Sequence, residues 1–366
     1  MAIYPLFKQI FFHFEPETAH RMAVSAAKLG QLMPIWDQAL FSYEDERLTQ
    51  DLFGQHFRNP VGLAAGFDKN AELTAFWPRL GFGFAEIGSV TAQPSAGNPR
   101  PRVFRLPEDE ALINRMGLNN HGAPTIAKRL AARNPSAFPI GVNLAKTHDP
   151  SILGDAALED FAMSFRACAP YAAYVVLNIS CPNTAEGKTF EETDALDALL
   201  ARTFQIRTAV RSDVPVLVKL SPPQDAILSD KALWEERISV LRRHPIAGLI
   251  ATNTASDREG LRSHKAKVLA IGRGGLSGKP LSERATALIR WLYQTTEGQW
   301  PIIGVGGVDS PESAWMKITA GASLIGVYTG LVYQGPGLIK RIKQGLIEKL
   351  DAHGLAHIRD AIGRNA

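Results

Sequence analysis

Tyr174-Val175-Val176-Leu177-Asn178-Ile179-Ser180-Cys181-Pro182 is the stretch on which the reading of this chain turns. Four residues able to pack on either face run, without alternation, into a carboxamide, a serine, a cysteine and a proline. A short run that is apolar on both faces fits a strand of a parallel sheet covered on both sides. Polar residues gathered at the C-terminal end of such a strand mark where these sheets carry chemistry. The pattern recurs in Val61–Ala65, Ala85–Gly88, Ile140–Leu144, Val216–Leu220, Gly248–Thr252, Ile302–Val305 and Leu324–Val327, which makes eight candidate strands. Most are followed by a polar or Gly-rich loop and then a helical stretch. Eight β/α units over about 300 residues fit a (β/α)8 TIM barrel, an α/β fold, better than a doubly wound sheet.

The rest of the chain is consistent with one large domain and an appendage. Its 366 residues are 45% hydrophobic and 21% charged, which excludes collagen-like, disordered and coiled-coil readings. Forty Lys and Arg stand against 36 Asp and Glu, and the small excess is spread along the chain. No basic stripe with interleaved aromatics exists, so nucleic acid is not an expected partner. Two cysteines, Cys168 and Cys181, make no disulfide framework and suit a reducing compartment. Cys168, in the helical stretch Phe161–Ala169, reads as a small buried apolar residue. No apolar run approaches the roughly 18 residues of a membrane span. Lys8 inside the first apolar stretch, with no small-residue cleavage site, argues against a signal peptide.

The first 45 residues read as a separate element, with the catalytic domain over 46–366. Ile3, Phe7, Ile10, Phe11 and Phe14 share one helix face, and Pro16 suits the start of a second helix with a stripe at Met22, Ala26, Leu29 and Met33, ended by Pro34. Two readings stand side by side: a hairpin packed on the main domain, or one whose apolar face meets lipid or a lipophilic ligand.

At the strand ends the sequence places Ala65-Gly66-Phe67-Asp68-Lys69, Ser89, Asn143, Asn178, Lys219, Thr252-Asn253-Thr254, Gly306-Gly307 and Tyr328-Thr329, with a further loop at Leu112–Asn120. Two lysines, several carboxamides and a cysteine thus converge on one rim. No G-x-G-x-x-G, Walker A, H-E-x-x-H or G-x-S-x-G motif occurs, and the nine histidines show no metal-ligand spacing, so no metal is expected. What remains is a phosphate site in the loops after strands seven and eight, which suits FMN, PLP or a sugar phosphate. Lys219 could form a Schiff base with PLP or stabilise an anionic reduced flavin. Asn114, Asn178, Asn183 and Asn253 each donate and accept, which suits a ring alternating N–H and C=O, such as a pyrimidine.

At this point the sequence resembles dihydroorotate dehydrogenase. The resemblance is carried by Asn59–Lys69, Asn114–Asn120, Asn178–Thr184, Thr252–Thr254, Gly274–Leu281 and Ile303–Asp309, in family order along almost the whole chain. The N-terminal Glu15-Pro16-Glu17-Thr18-Ala19-His20 is similar to the extension of the family's membrane-associated, quinone-dependent class (class 2), in which two helices lead a quinone to the flavin. The resemblance implies oxidation of dihydroorotate to orotate in pyrimidine synthesis. A base takes the C5 proton, hydride leaves C6 for FMN, and ubiquinone or menaquinone reoxidises the flavin. It implies FMN contacts at Ala65, Gly66, Phe67, Asp68, Lys69, Ser89, Asn143, Asn178, Lys219, Thr252, Gly278, Gly307, Tyr328 and Thr329. Substrate contacts would be Lys69, Asn114, Arg115, Met116, Gly117, Leu118, Asn178, Asn183, Asn253 and Thr254. His20 and Arg105 match quinone-site positions. A monomer, bound peripherally to the cytoplasmic face of the inner membrane, is the expected state.

One position departs from that class. The catalytic base, usually serine there, is Cys181 here. Cysteine resembles the soluble class, which uses fumarate or passes electrons toward NAD through a partner, and this is the alternative reading. Chemically the exchange is tolerable, because a thiol with a pKa of about 8.5 is a more accessible base than a hydroxyl. Lys219 is the second residue expected to take part in the chemistry.

Overall fold

The computed structural model describes residues 4–32, 41–133, 138–180 and 189–366. Cys181 and Asn183, together with Ile3, Met33 and Pro34, lie outside the described residues. Eight parallel strands close into a barrel in the order β10-β12-β13-β3-β4-β7-β8-β9. They are β3 (Val61–Leu63), β4 (Phe84–Val90), β7 (Ile140–Leu144), β8 (Tyr174–Asn178), β9 (Val216–Leu220), β10 (Gly248–Ala251), β12 (Ile302–Val305) and β13 (Leu324–Val327). All eight are the strands read from the apolar runs, five with the same ends and β3, β4 and β10 with ends shifted by one or two residues. Helices follow most of them around the outside.

The barrel interior is packed in layers. In the lower layer, Phe57, Phe84, Tyr174, Val176, Leu217, Ile250, Ile303 and Leu324 fill the space between strands. Two glycines make room for the rings: a Cβ on Gly62 would fall on the ring of Phe84, and one on Gly141 on the ring of Tyr174. The floor is closed by an antiparallel hairpin, β1 (Gln50–Leu52) with β2 (Gln55–Phe57), turning at Phe53-Gly54, where both residues have positive φ. Above the apolar layer the interior turns polar, with Glu86, Asn143 and Lys219 buried below the C-terminal mouth.

A second antiparallel sheet, β5 (Val103–Leu106), β6 (Ala111–Asn114) and β11 (Gly275–Gly278), lies outside the barrel with β6 in the middle. This corrects the expected loop at Leu112–Asn120, whose first residues are strand. The register pairs Asn114 with Gly275, and so ties two distant segments together.

The N-terminal hairpin is two helices, α1 (Tyr4–His13) and α2 (Pro16–Leu32). Glu15 caps α2, accepting from the Thr18 amide at 2.8 Å, with Pro16 at the first helical position. The expected apolar stripe does not pack on the barrel. Phe7 is 50% exposed, Ile10 52% and Leu29 62%, and Phe14 and Met22 are also exposed. α2 docks through its other face, where Ala19 and Ala27 are buried and Val24 packs against the main core, and through a buried carboxylate: Glu17 accepts from Arg102 Nη2 at 2.8 Å and Nε at 3.0 Å, with Arg100 at 3.1 Å. The hairpin thus packs on the main domain through one face and turns Phe7, Ile10, Phe14, Met22 and Leu29 outward. Among the described residues no helix is long and apolar enough to cross a membrane.

Candidate active site

The parallel register brings the rim residues together. Asn178 at the end of β8 lies beside Lys219 on β9, and Asn143 on β7 beside Gly88 on β4. Asn143 Oδ1 accepts from the Ser89 hydroxyl, and from Asn178 Nδ2 at 3.3 Å. Asn178 Nδ2 also reaches Ser89 Oγ at 3.0 Å. Asn253, just past β10, donates to Asn178 Oδ1 at 3.1 Å and to Ser180 Oγ at 2.9 Å. The Ser180 hydroxyl donates in turn to the Lys219 carbonyl at 3.0 Å. Ser89, Asn143, Asn178, Lys219 and Asn253 thus form one connected group at the mouth.

Glu86 belongs to this group and was not read from the sequence. Its Oε1 accepts from Asn143 Nδ2 at 2.8 Å and lies 3.4 Å from Lys219 Nζ. The signal was available: Glu86 is the lone charge in the run Phe84–Val90 of a strand buried on both faces.

The substrate-loop residues are joined through Gly275. Asn114 Nδ2 donates to its carbonyl at 3.3 Å, and a Cβ on Gly275 would collide with Thr254. Thr254 N donates to Asn253 Oδ1 at 2.8 Å, linking this loop to the carboxamide group. Gly117 and Leu118 both take positive φ, and Met116 accepts from the Asn98 amide at 3.0 Å. Arg115 turns to the neighbouring loops. Its guanidinium donates to the carbonyls of Ile271 and Pro101 and lies over the Phe104 ring, 4.6 Å from the centroid.

On the opposite side, Gly66 (φ +102) brings the backbone against Tyr328, whose ring edge a Cβ would meet at 3.3 Å. Tyr328 donates to the Gly66 carbonyl at 3.4 Å, and burial pushes its hydroxyl up to about 12. Gly307 (φ +71) packs so closely on Ser282 that a Cβ would lie 2.6 Å from the serine Cβ. Thr329 meets Ser277 at 2.8 Å beside Gly278, and Thr252 Oγ1 lies near Gly306. Of these, Gly306-Gly307 and Tyr328-Thr329 lie directly after the seventh and eighth barrel strands.

Asp68 is buried and structural in its contacts, accepting from the Glu72 and Leu73 amides and from Trp77 Nε1. Beside it, burial lowers the half-buried Lys69 ammonium to about 8, although Glu17 and Asp68 pull the other way. Phe67 stacks edge-on with Tyr328 on one side and with His20 of α2 on the other, at centroid distances of 5.6 and 4.8 Å. Burial and the Lys69 charge bring His20 down to about 3, so its ring is neutral at ordinary pH. Arg105 holds the other helix, donating to the Phe14 carbonyl at 2.8 Å and lying 4.5 Å from the Phe12 ring centroid. Both expected quinone-site residues therefore sit on the seam between hairpin and barrel. Cys168 is fully buried at the end of the helix Gly154–Cys168, and burial pushes its thiol up to about 12.

Residues 47–350 match the family model for dihydroorotate dehydrogenase. The chain is 44% identical to a dihydroorotate dehydrogenase (quinone) of Gloeobacter violaceus, covering 99% of each protein. It is 43% identical to one of Trichodesmium erythraeum, over 95% of this chain and 94% of that protein. Among solved structures, a DHODH of Eimeria tenella in complex with ferulenol superposes with a TM-score of 0.85 at 32% identity, over 96% of both chains. With the closed barrel, the polar mouth and these similarities together, the chain belongs to the dihydroorotate dehydrogenase family.

Proposed function

We propose that this chain oxidises dihydroorotate to orotate, a step of pyrimidine synthesis, and passes the electrons through FMN to a quinone. One observation carries the reading: the connected carboxamides Asn143, Asn178 and Asn253 stand beside Lys219 at the mouth of a barrel similar throughout its length to quinone-linked relatives. FMN fits the residues present. The Gly66 and Gly307 backbones approach Tyr328 and Ser282 where a Cβ would crowd, and Thr329 and the amides of Gly307 and Tyr328 offer neutral donors. Bound there, FMN would accept hydride from the substrate and hand two electrons to the quinone.

The chain's own residues supply the remainder. Lys219, buried at the mouth, would set a positive charge beside the flavin as negative charge builds on its reduction. Lys69 would pair with the substrate carboxylate, while Asn114, Asn178, Asn253 and Thr254, with Asn183, would match the ring's alternating donors and acceptors. Cys181 would take the C5 proton. His20 and Arg105 would border the quinone, and the outward apolar face of α1 and α2 would rest on a membrane surface, on its cytoplasmic side.

The test is dihydroorotate oxidation by the purified protein with a ubiquinone analogue, fumarate or NAD as acceptor. Strong turnover with the quinone alone is expected. Turnover with fumarate or NAD instead would overturn the acceptor assignment, and a protein that binds no flavin would overturn the reaction.

A further inference from the structure

We propose that Glu86 is a positioning residue: its carboxylate sets the direction of the hydrogen-bond chain through Asn143, Asn178 and Asn253, and balances the charge of Lys219. The proposal rests on the reading that this mouth holds FMN and dihydroorotate.

A carboxylate only accepts hydrogen bonds, whereas a carboxamide can turn either end toward a neighbour. Glu86 is 1% exposed, and its Oε1 meets Asn143 Nδ2 at 2.8 Å. Asn143 must therefore present its NH2 downward and its Oδ1 to the mouth. There Oδ1 accepts from Ser89 and from Asn178 Nδ2. Asn178, committed as a donor through nitrogen, offers Oδ1 to Asn253 Nδ2 at 3.1 Å. Asn253 is left with its own Oδ1 facing the Thr254 amide at 2.8 Å. One buried acceptor thus fixes which atom each amide shows to a bound ring, and such chains strengthen their members mutually. Glutamine at 86 could donate as well as accept, so Asn143 could turn over and the direction would be lost.

The same oxygen lies 3.4 Å from Lys219 Nζ, and both side chains are buried. Removing the negative charge leaves an ammonium uncompensated in a low-dielectric interior. That excess charge favours the more negative, reduced state of a flavin beside it.

The test uses the flavin-loaded protein and reads the flavin midpoint potential alongside the rate of flavin reduction by dihydroorotate. In Glu86→Gln the potential should move positive while reduction slows, by roughly the 10–100-fold seen when carboxylates behind metal-bound histidines are removed. A higher potential alone would speed reduction, so the opposed pair of changes is not what simple loosening produces. The shift in potential should vanish when Lys219→Gln is already present. An unchanged potential in Glu86→Gln, or a shift that persists without Lys219, overturns the proposal. Should Glu86→Gln fail to fold, Glu86→Asp decides. It keeps the charge but shortens the reach, so a wild-type potential with slowed reduction supports the proposal, and wild-type values of both overturn it. A wild-type protein whose flavin dihydroorotate does not reduce would overturn the function reading, and this inference with it.

Discussion

At Lys69, burial lowers the ammonium to about 8, against the pull of Glu17 and Asp68. If this group pairs with the carboxylate of the substrate, the free protein loses its binding charge as pH rises through that value. Affinity for orotate should then hold steady below about pH 8 and weaken about tenfold per unit above it, following the charged fraction of Lys69. Equilibrium titration of orotate from pH 6 to 10 measures this, and Lys69→Met should bind weakly with no inflection. An affinity that stays flat to pH 10 in the wild type would remove Lys69 as the partner. The same residue shows what single positions reveal in a sequence. Lys69, Asn178 and Lys219 were legible because polar side chains at strand ends need a reason to be there. Glu86 was legible only as a lone charge inside a buried strand, because its role depends on partners from β7 and β9 that only the closed barrel supplies.

The elements divide in the same way. Each barrel strand is a mostly apolar run without polar alternation, interrupted only by site residues such as Glu86, Asn143 and Lys219, so its pattern survives in the sequence without knowledge of its neighbours. The sheet of β5, β6 and β11 left no such trace: its strands are four residues each, two carry Arg105 or Asn114, and β11 begins and ends in glycine. β5 and β6 pair as a local hairpin, but β11 joins β6 through contacts across some 160 residues of chain, such as Asn114 with Gly275 and Leu112 with Ser277, separated by 161 and 165 residues. The hairpin α1–α2 was legible as two helices but not in how it docks, because an apolar stripe alone admits both an inward and an outward placement, and the partners of the docked face lie on distant segments. Its buried charged contact is Glu17, where burial would raise the carboxyl but Arg102 and Arg100 outweigh it and hold it below its ordinary value. Breaking a buried pair from one side strands the other charge. Glu17→Ala should therefore destabilise the protein by about 3–5 kcal/mol, since Arg102 stays buried, and Glu17→Gln by less because its amide oxygen can still accept. Denaturant unfolding of the two variants checks this, and a Glu17→Ala loss under about 1 kcal/mol would mean the pair lies open to water.

For the whole molecule, deleting residues 1–40 is a gentler operation than that single substitution, because it uncovers Arg102 as it removes its partner. The barrel does not depend on the hairpin for closure: its strands bond in a complete ring, and its interior layer draws on β1, β2 and the barrel strands alone. The carboxamide group, Glu86 and Lys219 all belong to that ring and the loops that leave it. What the hairpin adds is the seam, where His20 meets Phe67 and Phe67 meets Tyr328, so the apolar surface of α2 reaches the mouth through two ring contacts. If quinone approaches along that seam, the two half-reactions depend on different parts of the chain. The truncated protein should bind flavin and be reduced by dihydroorotate within a few-fold of the wild-type rate. Its reoxidation by a ubiquinone analogue should fall by roughly 100-fold, the scale on which lost positioning acts. Stopped-flow measurement of flavin absorbance separates the two steps in one preparation. Equal loss of both would make the hairpin a brace for the barrel, and undiminished reoxidation would place the quinone elsewhere on the mouth.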